Sequence, residues 1–195
     1  HCEECVKQAE KPAQPIPKSL AGPGLLSHVI VSKFCDALPL YRQESILRRS
    51  GVDLDRSRLC QWLKHCAKLL SPLVLLMRDK ILAYEISFAD ETTVQVLKEV
   101  GRQAQKQSYM WVFSGGKPEQ FSIVYRYHPG RNSFVATNFF EDYEGYLHAD
   151  GYVGYNPICS KKTKRVGCWG HGRRKFVDVL KGLPKDRKPG LADEA

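Results

Sequence analysis

Apolar positions along the chain follow two regimes, and the change falls near Lys80. Before it the spacing is helical. Leu25, Leu26, Val29, Ile30 and Phe34 recur at intervals of three and four, which predicts a helix that Pro39 breaks. A second short helix is expected over 40–50, with Gly51 as its C-cap. Asp53 or Asp55 then caps a third, in which Leu59, Trp62, Leu63, Cys66 and Leu70 make one apolar stripe. A fourth is expected from Pro72 to about Lys80, because proline is tolerated at a helix N-terminus. The sequence helix, Gly turn, helix resembles a helix-turn-helix. A plain bundle of short amphipathic helices fits the same pattern equally well.

After Lys80 short apolar runs alternate with turn residues, which predicts strands. They are expected at 81–89, 109–113, 121–127, 147–150 and 165–169. Gly115-Gly116 joins the second and third as a hairpin. A helix capped by Asn132 or Ser133 is expected over 133–143, and a last one over 173–180, with Phe176, Val177 and Leu180 on one side. Three strands, helix, strand, short link, strand, helix is the order of the ribonuclease H-like fold. The fold class predicted is therefore α/β: a ribonuclease H-like mixed sheet over 81–195, preceded by a small helical domain over 24–80. In that fold the ends of the first and fourth strands lie side by side. Residues 6–23, rich in Pro, Ala and Lys, read as an extended linker without fixed structure.

Composition narrows the choice of partner. The chain has 195 residues and a formal charge of +9, from 30 Lys and Arg against 21 Asp and Glu. Such a balance favours an anionic partner, nucleic acid first. Arg42, Arg48, Arg49, Arg56, Arg58 and Lys64 would give the helical domain a basic surface for phosphate contacts, with Arg56, Arg58 and Lys64 on the third helix. Arg173, Arg174 and Lys175 at the expected start of the last helix oppose its dipole, which suggests that their charge serves phosphate contact, with ordinary solvation as the alternative. The 43% hydrophobic content suits a real core and argues against wholesale disorder. The longest apolar stretches are too short to span a bilayer and no signal peptide is visible, so no membrane is expected. Seven scattered cysteines fit a reducing cytoplasm better than a disulfide framework, with Cys35, Cys60 and Cys66 as small core residues. Cys2 and Cys5 form half of a tetrahedral zinc site, so Zn²⁺ is a candidate for a fuller N-terminal segment. The chain starts at His1 without methionine and reads as a fragment.

The candidate chemistry lies in two aspartates. Asp90 and Asp150 each close an apolar run, and a glycine follows Asp150 at once. On adjacent strand ends they could hold Mg²⁺ or Mn²⁺ for phosphoryl transfer, which uses two ions about 3.5–4 Å apart. A lone aspartate at a strand end is more often a turn cap, but two in matching positions favour catalysis. Glu91 and His148 are second choices, expected by alternation to point away from the neighbouring aspartates. Asp178 is expected in a structural stripe, and Glu194 in a tail without scaffold. Cys168 and His171 have metal-ligand spacing, but two ligands do not complete a zinc site.

The chain resembles the transposases of the insertion-sequence-66 family, bacterial enzymes of the DDE type. The likeness lies in the blocks Gly22-Pro23-Gly24-Leu25-Leu26 through Leu38-Pro39-Leu40-Tyr41-Arg42-Gln43, Gly51-Val52-Asp53-Leu54-Asp55-Arg56-Ser57, Ala89-Asp90-Glu91-Thr92, Asp150-Gly151-Tyr152-Val153-Gly154-Tyr155-Asn156, and Cys168-Trp169-Gly170-His171-Gly172-Arg173-Arg174-Lys175-Phe176. The resemblance implies a zinc-binding segment ahead of the linker, of which Cys2 and Cys5 would remain. It implies Asp90 and Asp150 as the first two members of an acidic triad, and a glutamate beyond Ala195 as the third. Family members typically have Ala where this chain has Gly170 and Gly172. The activity implied is cutting of an element's 3′ ends and attack of the freed 3′-hydroxyl on target DNA, by an enzyme that usually works as an oligomer. Rival readings are a non-catalytic DNA-binding module over 24–70 and an inactive remnant of a broken element.

Overall fold

The structure, a computed structural model, describes residue 9 and residues 12–182. Cys2, Cys5 and Glu194 lie outside the described residues. The chain divides into two compact units at Leu73/Val74, where the sequence pattern placed a boundary at Lys80/Ile81. No helix among the described residues is long and apolar enough to cross a membrane.

The first unit holds α1 (Pro23–Phe34), α2 (Leu40–Arg49) and most of α3 (Arg56–Leu82). Asp55 caps α3 by accepting the Arg58 amide at 2.8 Å, and Gly51 ends α2 with φ +80°. Leu26, Val29, Leu54, Leu59, Trp62 and Cys66 form the core, and Ile16 and Ala21 pack into it. The second half of the expected linker is therefore folded against the helices, because Ile16 and Ala21 find a place there while Leu20 stays exposed. Cys66 is buried as expected, but Cys35 and Cys60 are exposed. Cys60 follows Leu59, about 100° around the helix from the apolar stripe. That stripe ends at Cys66, and Leu70 is exposed.

No separate helix begins at Pro72, because α3 runs through it unbroken. Proline lacks the N–H that would bond the Lys68 carbonyl one turn back. The Ser71 hydroxyl donates to that carbonyl at 2.8 Å and replaces the lost bond.

The second unit is built on a five-stranded mixed sheet: β1 (Ile86–Gln95), β2 (Gln107–Gly115), β3 (Ser122–His128), β4 (Gly145–Ala149) and β5 (Thr163–Gly167), in spatial order β3-β2-β1-β4-β5. β1, β2 and β3 pair antiparallel; β4 pairs parallel with both β1 and β5. β1 starts and ends later than expected. Ile81 and Leu82 belong to α3, where Ile81 is buried in the same core as Ala89 and Trp111. α4 (Ser133–Phe139), capped by Asn132, packs on one face of the sheet, and Phe139 stacks on Phe113 with ring centroids 4.0 Å apart. Helix is lost after Phe139, four residues short of the expected end. β4 opens at Gly145, where φ is +151° and a Cβ would lie 2.5 Å from the Glu85 carbonyl oxygen. The last helix, α5 (Trp169–Gly182), starts four residues earlier than expected and buries no residue. Phe176 is exposed, so the predicted packed side of that helix is not formed among the described residues.

Candidate active site

Parallel pairing of β1 with β4 ends at Phe88 opposite His148. Two residues further along each strand stand Asp90 and Asp150. β4 has ended by then, while β1 continues to Gln95 alongside β2, where Asp90 pairs with Val112. Asp90 is thus mid-strand rather than at a strand tip, and the early end of β4 opens the space beside it. Asp150 follows the last β4 residue directly, one position beyond the strand rather than its last residue as the span 147–150 predicts.

Both aspartates line one pocket of about 210 Å³, together with Phe88, His148, Cys168 and His171. Each uses one oxygen locally. Asp90 Oδ1 accepts the Glu91 amide and Asp150 Oδ1 the Tyr152 amide, both at 2.9 Å, so Asp150 also performs the turn-capping role that its position allows. Asp90 Oδ2 lies 4.0 Å from His171 Nε2, and Asp150 Oδ2 lies 3.9 Å from Arg131 Nη2. Neither Oδ2 accepts a hydrogen bond from the described residues.

The flanking residues divide in a way that alternation only half predicted. Glu91 does point to the opposite face from Asp90, and its side chain is 1% exposed. His148 does not point away from Asp150. Positions two apart on a strand share a face, and His148 lines the pocket with its ring 5.2 Å from that of Phe88. Gly151 makes no close approach to protein atoms, since a Cβ there would meet open space.

α5 brings further groups to the site. Cys168, just ahead of it, and His171 in its first turn face both aspartates. The amide and ring of His171 hold the Cys168 thiol below its usual pKa. Asp178, expected in a packed stripe, is exposed and lines an adjoining hollow with Asp150, His171, Arg174 and Lys175. Arg173, Arg174 and Lys175 are all exposed. They sit in the second turn of α5, so the dipole penalty expected of a first-turn position does not apply to them. Arg56, Arg58 and Lys64 are exposed on α3 in the other unit. Among the described residues no group of three or more His, Cys, Asp or Glu could hold a metal ion, and Cys168 with His171 remains a pair.

Three site residues have no role assigned by the sequence: Arg131, and Tyr152 and Tyr155, which enter there only within the block that follows Asp150. The buried Glu91 accepts two N–H groups of Arg131 on Oε1, one of them at 2.7 Å, and the Tyr155 hydroxyl on Oε2. Arg131 lies over the Tyr152 ring, its Cζ 3.7 Å from the ring centroid. Burial alone would lower the Arg131 pKa, but the bond to Glu91 and the charges of Glu91, Tyr152 and Asp150 raise it overall. Burial, and then the bond to Glu91, push the Tyr155 phenol far up. Gly154 leaves room for this arrangement, since a Cβ there would lie 2.1 Å from the Tyr152 ring. One signal could have pointed here. A carboxylate on the core side of a strand requires a buried partner, and alternation puts Glu91 on the face opposite Asp90.

Comparison with known proteins gives the context. The uncharacterized protein y4qI of Sinorhizobium fredii is 34% identical over 188 residues, covering 89% of this chain and 34% of its own length. The uncharacterized protein y4jD of the same organism is 33% identical over 198 residues, covering 92% of this chain and 37% of its own. The chain thus spans about a third of the length of these relatives. A solved structure of the Mos1 transposase paired-end complex with left transposon end aligns with 10% identity over 97% of this chain and 71% of its own, at a TM-score of 0.30, too low to bear on the fold. The family profile described as "Transposase IS66 family" matches residues 18–194. With nearly the whole chain inside that match, the protein belongs to the IS66 family of transposases.

Proposed function

We propose that residues 74–182 carry part of a ribonuclease H-like catalytic core for DNA cleavage and strand transfer, with Asp90 and Asp150 as its first two acidic residues. One observation carries this reading: the two aspartates lie two residues beyond the last β1–β4 parallel pair and line one pocket. The strand order, with three antiparallel strands followed by two parallel ones, supports it.

The donor set fits a hard divalent cation. Two carboxylate oxygens, Asp90 Oδ2 and Asp150 Oδ2, accept no hydrogen bond from the described residues, and Mg²⁺ or Mn²⁺ takes such oxygens while keeping several waters. When bound, such ions activate an attacking oxygen and stabilise a leaving one. The two aspartates would hold them, and the Asp150 turn would keep its second oxygen aimed into the pocket through the Tyr152 amide. Exposed Arg173, Arg174 and Lys175 on α5, with Arg56, Arg58 and Lys64 on α3, would meet DNA phosphates. The decisive experiment compares strand transfer by the full-length protein with its Asp90→Ala and Asp150→Ala forms. Transfer that persists at the parental rate in either variant refutes the reading.

A further inference from the structure

We infer that Arg131, seated on the buried Glu91, positions Asp150 for its ligand; the inference rests on the reading of Asp150 as a metal-binding carboxylate. Glu91 is the anchor. Its side chain is 1% exposed, and Arg131 and Tyr155 occupy both of its oxygens. Only the Glu91 end of this ion pair is buried, Arg131 being 39% exposed, so the buried carboxylate fixes where the half-exposed guanidinium sits.

Two routes lead from that anchor to Asp150. Arg131 covers the Tyr152 ring at 3.7 Å, and the Tyr152 hydroxyl donates to the Arg131 carbonyl at 2.8 Å, so side chain and backbone of residue 131 grip the same tyrosine. The Tyr152 amide in turn holds Asp150 Oδ1 at 2.9 Å. The second route is direct. Arg131 Nη2 stands 3.9 Å from Asp150 Oδ2, close enough to offset the charge of the neighbouring carboxylates and too far for a hydrogen bond. Because Glu91 holds the guanidinium by Nε and Nη2, two of its five N–H donors, Arg131 stays 3.9 Å from Asp150 and leaves Oδ2 open toward the pocket. Arg131 is therefore a positioning residue, and Glu91 keeps it in position.

Arg131→Lys keeps the charge but loses the planar fork that grips Glu91 and stacks on Tyr152. Glu91→Gln keeps the volume and removes the anchoring charge. Amide hydrogen exchange across residues 150–156 and Mn²⁺ affinity by electron paramagnetic resonance are measured on this chain and both variants, with Asp150→Asn as reference. Expected is exchange in 150–156 faster by about ten-fold, with the sheet's protection unchanged, and Mn²⁺ binding weaker by roughly 10–100-fold. Should Arg131→Lys lose the sheet's protection as well, the isosteric Glu91→Gln decides. Unchanged exchange in 150–156 overturns the inference. So does unchanged Mn²⁺ affinity in the variants when Asp150→Asn has lost binding. If Asp150→Asn binds Mn²⁺ like the parent, the metal reading fails instead, and exchange alone judges whether Arg131 holds the Asp150 turn.

Discussion

Tyr155→Phe removes one oxygen from the centre of this network and nothing else. Tyr155 is fully buried, and its ring packs edge-on against Trp111 and Tyr152, with centroids at 6.0 and 5.9 Å. Phenylalanine keeps those contacts, so no cavity term enters. What disappears is the hydroxyl donor to Glu91 Oε2. Hydrogen bonds to charged groups contribute about 1.5–3 kcal/mol, and Glu91 keeps Arg131 on its other oxygen, so a loss of about 2 kcal/mol is expected at neutral pH. The pH dependence carries a sign of its own. Burial and Glu91 raise the phenol's pKa in the folded state, whereas unfolded tyrosine ionises near about 10. The folded state therefore retains a proton that the unfolded state sheds above that pH. The stabilisation from Tyr155 is fully present below about pH 10 and declines as pH rises further. Urea unfolding of both proteins at pH 7 and pH 10.5 measures the gap, which should narrow at the higher pH. A gap under about 0.5 kcal/mol at pH 7, or one that widens with pH, would refute the reasoning.

Other outcomes test separate parts of the fold. Gly145→Ala should destabilise by at least about 2 kcal/mol, seen as a lowered Tm, because φ is +151° and the new Cβ would meet the Glu85 carbonyl oxygen. Pro72→Ala should stabilise the chain in urea unfolding, by less than the full interior-proline penalty of about 3 kcal/mol, because the Ser71 hydroxyl already satisfies the Lys68 carbonyl. Cys168 should react with iodoacetamide at lower pH than the cysteine of a short unstructured peptide, since His171 holds its thiol below the usual pKa; His171→Ala should move its reaction profile up in pH.

The part of the site that was legible in the sequence is the part encoded locally. An apolar run, an aspartate and a glycine were enough to put Asp150 within one residue of the end of β4, because a strand's end and the turn that follows are written in neighbouring residues. Asp90 was singled out on a strand boundary that the structure shifts. The run from Ile81 reads equally well as helix or strand, an ambiguity inherent in short apolar stretches. Its first two residues instead complete the buried face of α3, which Met77 and Ile81 share at helical spacing. β1 therefore begins at Ile86 and carries Asp90 in its middle. Asp90 is still brought beside Asp150, because the relation between them is set by the register of β1 on β4, and that register outlasts the shift in boundaries. The partners of Glu91 had no such local trace. Arg131 is forty residues away in a loop after β3, and Tyr155 lies beyond β4, so only the closed sheet and α4 bring them together. Alternation could say that Glu91 faces inward, and the cost of a buried charge could say that it needs a cation. Which of thirty Lys and Arg would supply it depends on tertiary contacts. The pocket carboxylates are thus a matter of strand pattern, while the residues that orient them are a matter of topology. A variant scan confined to the sequence motifs would test the first and miss the second.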